Sequence, residues 1–333
     1  MLYREAFLLL FFFTCFQEKS RAQVTSSLVL IDSNVLHIAD PTVFQNKGLY
    51  YLYGTVEGAS GNGFLVYTSS DLKAWKLSKL NNGYALKKGD AFGTSGFWAP
   101  QVFSYGNKFY MAYVANENIA IAQGSSPLGP FIQKSKTPLV APVKQIDPFV
   151  FIDRDGKKYL YHVRLNKGNR IFVAEMTGDF SAVKEETLKE CVTALEPWEI
   201  TANALWPVAE GPAILKRGKL YYLFYTANDF RNPDYAVGYA TSAHPLGPWK
   251  KHSKNPILSK ALVGFNGTGH GDFFQKNKEL FYVLHTHNSN SKVGPRNTAL
   301  IKMKFVKGRK ENDYIIAEGE SFSFLKTQAG PTD

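Results

Sequence analysis

Five segments of this chain follow one plan: a polar or charged opening beside Pro or Gly, a short apolar run, a turn, and an aromatic strand. They are "ADPTVFQNKGLYYLYGT" (39–55), "WAPQVFSYGNKFYMAYVA" (98–115), "IDPFVFIDRDGKKYLYHVR" (146–164), "AEGPAILKRGKLYYLFYTA" (209–227) and "GHGDFFQKNKELFYVLHTH" (269–287). Their starts recur at roughly 50 to 60 residues, a period within reach of propellers. Aromatics make up 14% of the chain, with 25 Phe and 18 Tyr, which favours strands over long helices. Together these observations predict an all-β fold: a five-bladed β-propeller of four-stranded antiparallel blades around a central channel.

Each repeat supplies its elements in the same order. The first two strands are joined by "NKG", "YGNK", "RDGKK", "KRGK" and "KNKE", turn chemistry suited to hairpins. Third strands are expected at 64–70, 119–126, 171–177, 235–242 and 298–305. The phrases "SSDLKAW" (69–75), "SSPLGPF" (125–131) and "SAHPLGPW" (242–249) then mark the turn into a fourth strand, with Trp75 and Trp249 packing the blades. Continuous apolar strands such as "LYYLFY" fit blades buried on both faces. A short helix is the expectation for "SAVKEETLKE" (181–190), and Asp153 and Asp155 read as solvated hairpin-tip residues. With no Pro/Ser or charge-run linker, 23–333 reads as one domain.

The start of the chain reads as a signal peptide. Arg4, the apolar run "AFLLLFFFTCF" (6–16) and the small residues of "SRAQ" (20–23) predict cleavage after Ala22, and hence a periplasmic or secreted protein. The run is too short to span a bilayer comfortably. Cys15 admits a lipoprotein alternative, although Phe-Phe-Thr before it is a poor lipobox. Cys191 would then stand alone, excluding an intrachain disulfide, so core packing must hold the fold. The formal charge is +11. Its lysines are scattered, and with export this argues against a nucleic-acid partner. A monomer is expected.

In a propeller the innermost strand of each blade lines the channel, so equivalent positions converge. Around the ring that position reads Asp40, Ala99-Pro100, Asp147, Glu210 and His270. Three carboxylates gathered in one pocket raise at least one pKa by repulsion and desolvation. One protonated acid beside one ionised base is what glycoside hydrolysis needs.

The motifs "ADPTVF", "FWAPQV", "IDPFVF", "AEGPAI" and "GTGHGDFF", in this order and spacing from about Ser33 to Phe305, resemble glycoside hydrolase family 43. The resemblance implies inverting glycosidases on a five-bladed propeller. It implies Asp40 as general base, Glu210 as general acid, and Asp147 as the residue that tunes and orients the acid. Base and acid should then stand roughly 6.5–9.5 Å apart to admit a water. By the same resemblance Arg296 hydrogen-bonds the sugar beside the acid, Trp98 walls the catalytic subsite, and His270 reaches toward a structural Ca2+ in the channel. No organic cofactor is implied.

The leading expectation is an α-L-arabinofuranosidase releasing a terminal pentose-type sugar, with β-xylosidase, β-galactofuranosidase and a non-catalytic sugar-binding propeller as alternatives. The family's larger xylosidases carry a C-terminal β-sandwich, for which 333 residues leave no room. Fructoside-active propellers are discounted because the chain reads "ADPTV" and "AEGP" where they show "NDPNG" and "EC" before Pro.

Overall fold

Alternation along the second strand of each blade dictates how the ring is built. In Leu220–Ala227 every residue after the first is buried. Tyr222 and Phe224 join a cluster with Tyr282, Leu284 and Ile301, whereas Leu223 and Tyr225 join another with Tyr161, Val163 and Val173. Successive side chains of a strand point to opposite faces, so one strand serves two interfaces. The same holds around the molecule. Five apolar clusters fill the interfaces between blades 1 and 2, 2 and 3, 3 and 4, 4 and 5, and 5 and 1, and among the described residues they are the core.

The structure, a computed structural model, describes residues 34–308 and 313–328. The expected signal peptide at 1–22, with Cys15, lies outside them. The five inner hairpins are Ile38–Asn46 with Leu49–Val56, Trp98–Tyr105 with Lys108–Ala115, Gln145–Ile152 with Lys158–Leu165, Ala209–Arg217 with Leu220–Ala227, and Gly269–Lys276 with Glu279–Thr286. Third and fourth strands complete blades 3, 4 and 5, each an antiparallel sheet of four. The protein is thus a five-bladed β-propeller. No helix among the described residues is long and apolar enough to cross a membrane.

Blades 1 and 2 differ from the expected four strands. In blade 1 the predicted third strand is split. Gly63–Leu65 pairs with Tyr84–Lys87 in a separate ribbon, and only Tyr67–Ser69 stays in the blade. Blade 2 has three strands. Its outer edge continues only as the Gln123–Ile132 bridge, because the next side chain, Gln133, is taken by the Phe92 N–H and the carbonyls of Ile121 and Thr137. The expected helix at 181–190 is a single 3-10 turn, Glu185–Thr187, before strand Lys189–Val192. Asp153 is not solvated: it is buried, paired with Lys216 at 2.5 Å, and accepts the Tyr221 hydroxyl, tying blade 3 to blade 4. Trp75 is buried between blades 5 and 1, and Trp249 packs edge-on to Tyr161.

The two ends of the described chain close the ring. Lys326–Thr327 runs parallel to Ala74–Leu77, giving blade 1 a fifth strand. Thr298 of blade 5 is the clasp. Its Oγ1 accepts the Ile38 N–H at 2.9 Å and donates to the Ile38 carbonyl at 2.8 Å, while its own N–H reaches the Leu36 carbonyl at 2.8 Å. Thr298→Val keeps the shape but strips Ile38 of these side-chain partners. A loss of about 1–3 kcal/mol in unfolding free energy is expected from the lost hydrogen bonds. Denaturant titration should show a lower midpoint at unchanged slope; an unmoved midpoint would reject the clasp.

Candidate active site

Every innermost strand carries a β-bulge at the same place. The register breaks between Ala39 and Thr42, Trp98 and Gln101, Ile146 and Phe149, Glu210 and Ala213, and Gly269 and Asp272. The first bulged residues are Asp40, Ala99, Asp147, Gly211 and His270, all at positive φ between 42° and 59°. Only glycine adopts this region without strain, so the four others cost of order 1–3 kcal/mol each. Bulges re-aim side chains. Here they deliver Asp40, Asp147 and His270 to the axis.

Neighbouring blades hold these residues in place. The N–H groups of Asp40, Ala99, Gly211 and His270 donate to His285 Nδ1 (3.1 Å), Thr55 Oγ1 (3.0 Å), Asp147 Oδ2 (3.1 Å) and Thr226 Oγ1 (2.9 Å). Gly211 is obligatory beyond its φ of 59°, since an added Cβ would lie 2.8 Å from the His270 ring.

The register corrects one expectation. Glu210 does not occupy the bulge position of Asp40 and Asp147. It precedes the bulge by one residue, level with Ala39, Trp98, Ile146 and Gly269. A one-residue offset turns a side chain to the other face.

The environments of Asp40 and Glu210 are opposed. Asp40 accepts Arg296 Nη1 at 3.0 Å and the Thr55 hydroxyl at 2.7 Å, with His270 Nδ1 and His285 Nδ1 each 3.4 Å from Oδ1. Burial works against its charge, but Arg296, the two histidines and Thr55 outweigh it and hold the carboxyl below the usual range. Glu210 touches no cation. Burial pushes it up to about 7, against the opposing hydrogen bonds from Tyr235 OH to Oε1 and Asn169 Nδ2 to Oε2, both 2.8 Å. Asp147 is also raised well above its ordinary value, by burial and by the charges of Glu210 and Asp40. Its Oδ2 orients Glu210 through the adjoining Gly211 N–H. The site therefore holds a carboxylate at Asp40 and, near neutral pH, a carboxylic acid at Glu210, with Asp147 also shifted toward its protonated form.

The expected residues gather around one cavity of about 460 Å³, lined by Asp40, Trp98, Asp147, Glu210, His270 and Arg296. Arg296 is bonded to Asp40 and to Glu57 (2.5 Å) and lies 4.7 Å over the Phe230 ring. The residues that do contact Glu210, Asn169 and Tyr235, went unnoticed in the sequence, as did Trp206 and Phe230 on the cavity wall. Their signal was weak: all lie on third strands or connecting loops, which the repeat does not align. Phe230 and Tyr235 fall in or just beyond the connecting loop "NDFRNPD" (228–234).

The residues around the channel do not single out calcium. Calcium takes six to eight oxygens. The space between Thr42, Gln101, Phe149, Asp272 and His270 is about 20 Å³, enough for about one water. The Gln101 amide is committed to Val150, and Asp272 to Thr42 and the Phe273 N–H. Asp147, Glu210 and His270 each place one donor atom within 4.8 Å of the others, close enough to hold a metal ion. Two carboxylates and an imidazole do not select calcium.

Comparison with known proteins agrees with this geometry. Residues 35–309 match the family described as "Glycosyl hydrolases family 43". A Bacteroides thetaiotaomicron structure described as an endo-1,4-β-xylanase is 42% identical, with TM-score 0.81 over 89% of this chain and 99% of its own. A β-D-galactofuranosidase of Aspergillus niger is 24% identical over 271 residues, 74% of this chain and 73% of its own. An arabinoxylan arabinofuranohydrolase of Bacillus subtilis is 26% identical over 332 residues, 85% of this chain and 64% of its own, so this chain spans less than two thirds of it.

Tyr235→Phe tests the acid's environment. Glu210 is protonated below about 7, so kcat/KM should fall as pH rises through that value. Removing the Tyr235 hydroxyl takes away a donor that favours the carboxylate. The alkaline limb should therefore move to higher pH, by up to about one unit. A limb that stays put, or moves down, would detach it from Glu210.

Proposed function

This chain belongs to glycosyl hydrolase family 43, and on that premise we propose that it is an exported, exo-acting, inverting glycosidase that removes terminal pentose-type sugars from plant-type polysaccharide or oligosaccharides, foremost an α-L-arabinofuranosidase. The observation that carries the reading is the opposed pair on one cavity: Asp40 held ionised by Arg296, and Glu210 raised to about 7 by burial. In the proposed mechanism Asp40 takes a proton from a water on one face of the sugar. Glu210 gives its proton to the departing oxygen on the other. Asp40 thus begins ionised and ends neutral while Glu210 begins neutral and ends ionised, so the pair carries one negative charge from start to finish.

Export is part of the proposal and rests on the leader at 1–22. The exo reading rests on the size of the cavity and on the loops carrying Trp206 and Phe230 at its wall. A second reading, action on β-xylosidic bonds, is favoured by the 42% identity to a protein described as an endo-1,4-β-xylanase. A purely sugar-binding role leaves the opposed environments of Asp40 and Glu210 without purpose.

Aryl α-L-arabinofuranoside, β-D-xyloside and β-D-galactofuranoside, offered to the protein beside intact arabinan and xylan, separate these readings. Release of arabinose is expected, and cleavage of the xyloside or of internal xylan bonds instead would replace it. Proton NMR of the first product should show the inverted anomer; a retained one would reject the mechanism. Glu210→Gln should slow poor leaving groups by roughly 100-fold or more and activated aryl groups far less. Asp40→Asn should abolish turnover of both, and surviving activity would remove it as base.

A further inference from the structure

The loop 201–207 places an exposed tryptophan in contact with the acid's own hydrogen-bond partner. Trp206 lines the cavity and is 48% exposed, and Leu205 beside it is fully exposed. Its indole Nε1 donates to Asn169 Oδ1 at 2.8 Å, and Asn169 Nδ2 donates to Glu210 Oε2 at 2.8 Å. The backbone fixes the same junction: the Asn169 N–H reaches the Pro207 carbonyl at 2.9 Å, and Asn169 bridges Val208. The Asn169 amide is thus oriented from one side by an indole whose ring is open to solvent.

We propose that Trp206 is the platform for the leaving-group sugar, and that its N–H, relayed by Asn169, positions the Glu210 carboxyl toward the departing oxygen. The inference rests on Glu210 being the general acid. Whatever flanks the acid away from Asp40 faces the group that leaves, because the acid protonates that group's oxygen. Burial points the same way. Arg296, on the Asp40 side, is 9% exposed, whereas Trp206 and Leu205 open to solvent, where a leaving sugar must exit. An indole face suits the apolar face of a sugar ring, and its N–H remains fixed below. Trp206 is the contact residue in this arrangement; Asn169 acts through Glu210 and is a positioning residue.

Two substitutions separate the two roles. Trp206→Phe keeps an aromatic face and removes the N–H; Trp206→Ala removes both. On the trisaccharide of whichever sugar the wild type releases, Trp206→Ala should raise KM roughly 3- to 10-fold. Trp206→Phe should leave KM within about twofold and lower kcat roughly 5- to 10-fold, as for one lost hydrogen bond. With a dinitrophenyl leaving group, which needs little protonation, the kcat of Trp206→Phe should match wild type. An unchanged KM in Trp206→Ala overturns the platform. Equal kcat losses on both leaving groups, or none on either, overturn the relay. If the wild type cleaves nothing, the proposed function fails separately. Titration calorimetry with xylotriose and arabinotriose then decides the platform: binding lost in Trp206→Ala supports it, and binding that is absent or unaffected overturns it.

Discussion

Everything at this site depends on a bulge repeated five times. An innermost strand that ran straight would alternate its side chains between the two flanking interfaces, and none would be free for chemistry. The extra residue at Asp40, Ala99, Asp147, Gly211 and His270 breaks that alternation at the head of each strand and turns one position toward the axis. Four of the five are non-glycine residues at positive φ, a conformation that persists only because neighbouring blades hold it. The N–H groups of Asp40, Ala99 and His270 bond to His285, Thr55 and Thr226, and that of Gly211 to Asp147, each bond crossing to another blade. Catalytic geometry and ring assembly are therefore one network.

Within that network two carboxyl groups are made unlike by what lies beside them. Both are buried. Asp40 has a guanidinium, two imidazoles and a hydroxyl around it; Glu210 has a phenol and an amide. Neutral donors soften the cost of burying a charge without removing it, whereas a cation reverses it. Asp147, flanked by both, is raised by burial and by their charges, and the Gly211 N–H that it accepts pulls the other way.

Much of this was legible in the sequence because the repeat is itself physical. Asp40, Asp147 and His270 sit at one position of one recurring hairpin, so finding the repeat found the site. Glu210 was found with its position misjudged by one residue. "EGP" and "ADP" look alike, but the Pro, not the acid, marks the bulge, and only the register reveals this. Arg296 was identified, but its bonds to Asp40 and Glu57 were not, since a strand's place in the sequence does not say which way a long side chain reaches. Asn169, Tyr235 and Trp206 were not legible at all. They come from segments whose partners are fixed by how blade 3 meets blade 4, and no periodicity records that. The same reason hid the burial of Asp153, a hairpin-tip residue whose partners Lys216 and Tyr221 belong to the next blade.

The closure of the ring sets the order in which the molecule can be made. The edge of blade 1 at Ala74–Leu77 finds its last partner in Lys326–Thr327, about 250 residues later in the chain, and Ile38 waits on Thr298. Contacts of such sequence separation are slow to form. On a ribosome, the first four strands of blade 1 emerge long before blade 5 exists, and they keep an unpaired edge and an uncovered apolar face until blade 5 and Lys326–Thr327 follow. Arg296, which holds Asp40 ionised, arrives in the same late stretch as the clasp. A nascent chain thus carries an unarmed base, and the catalytic pair comes into being together with the closed ring.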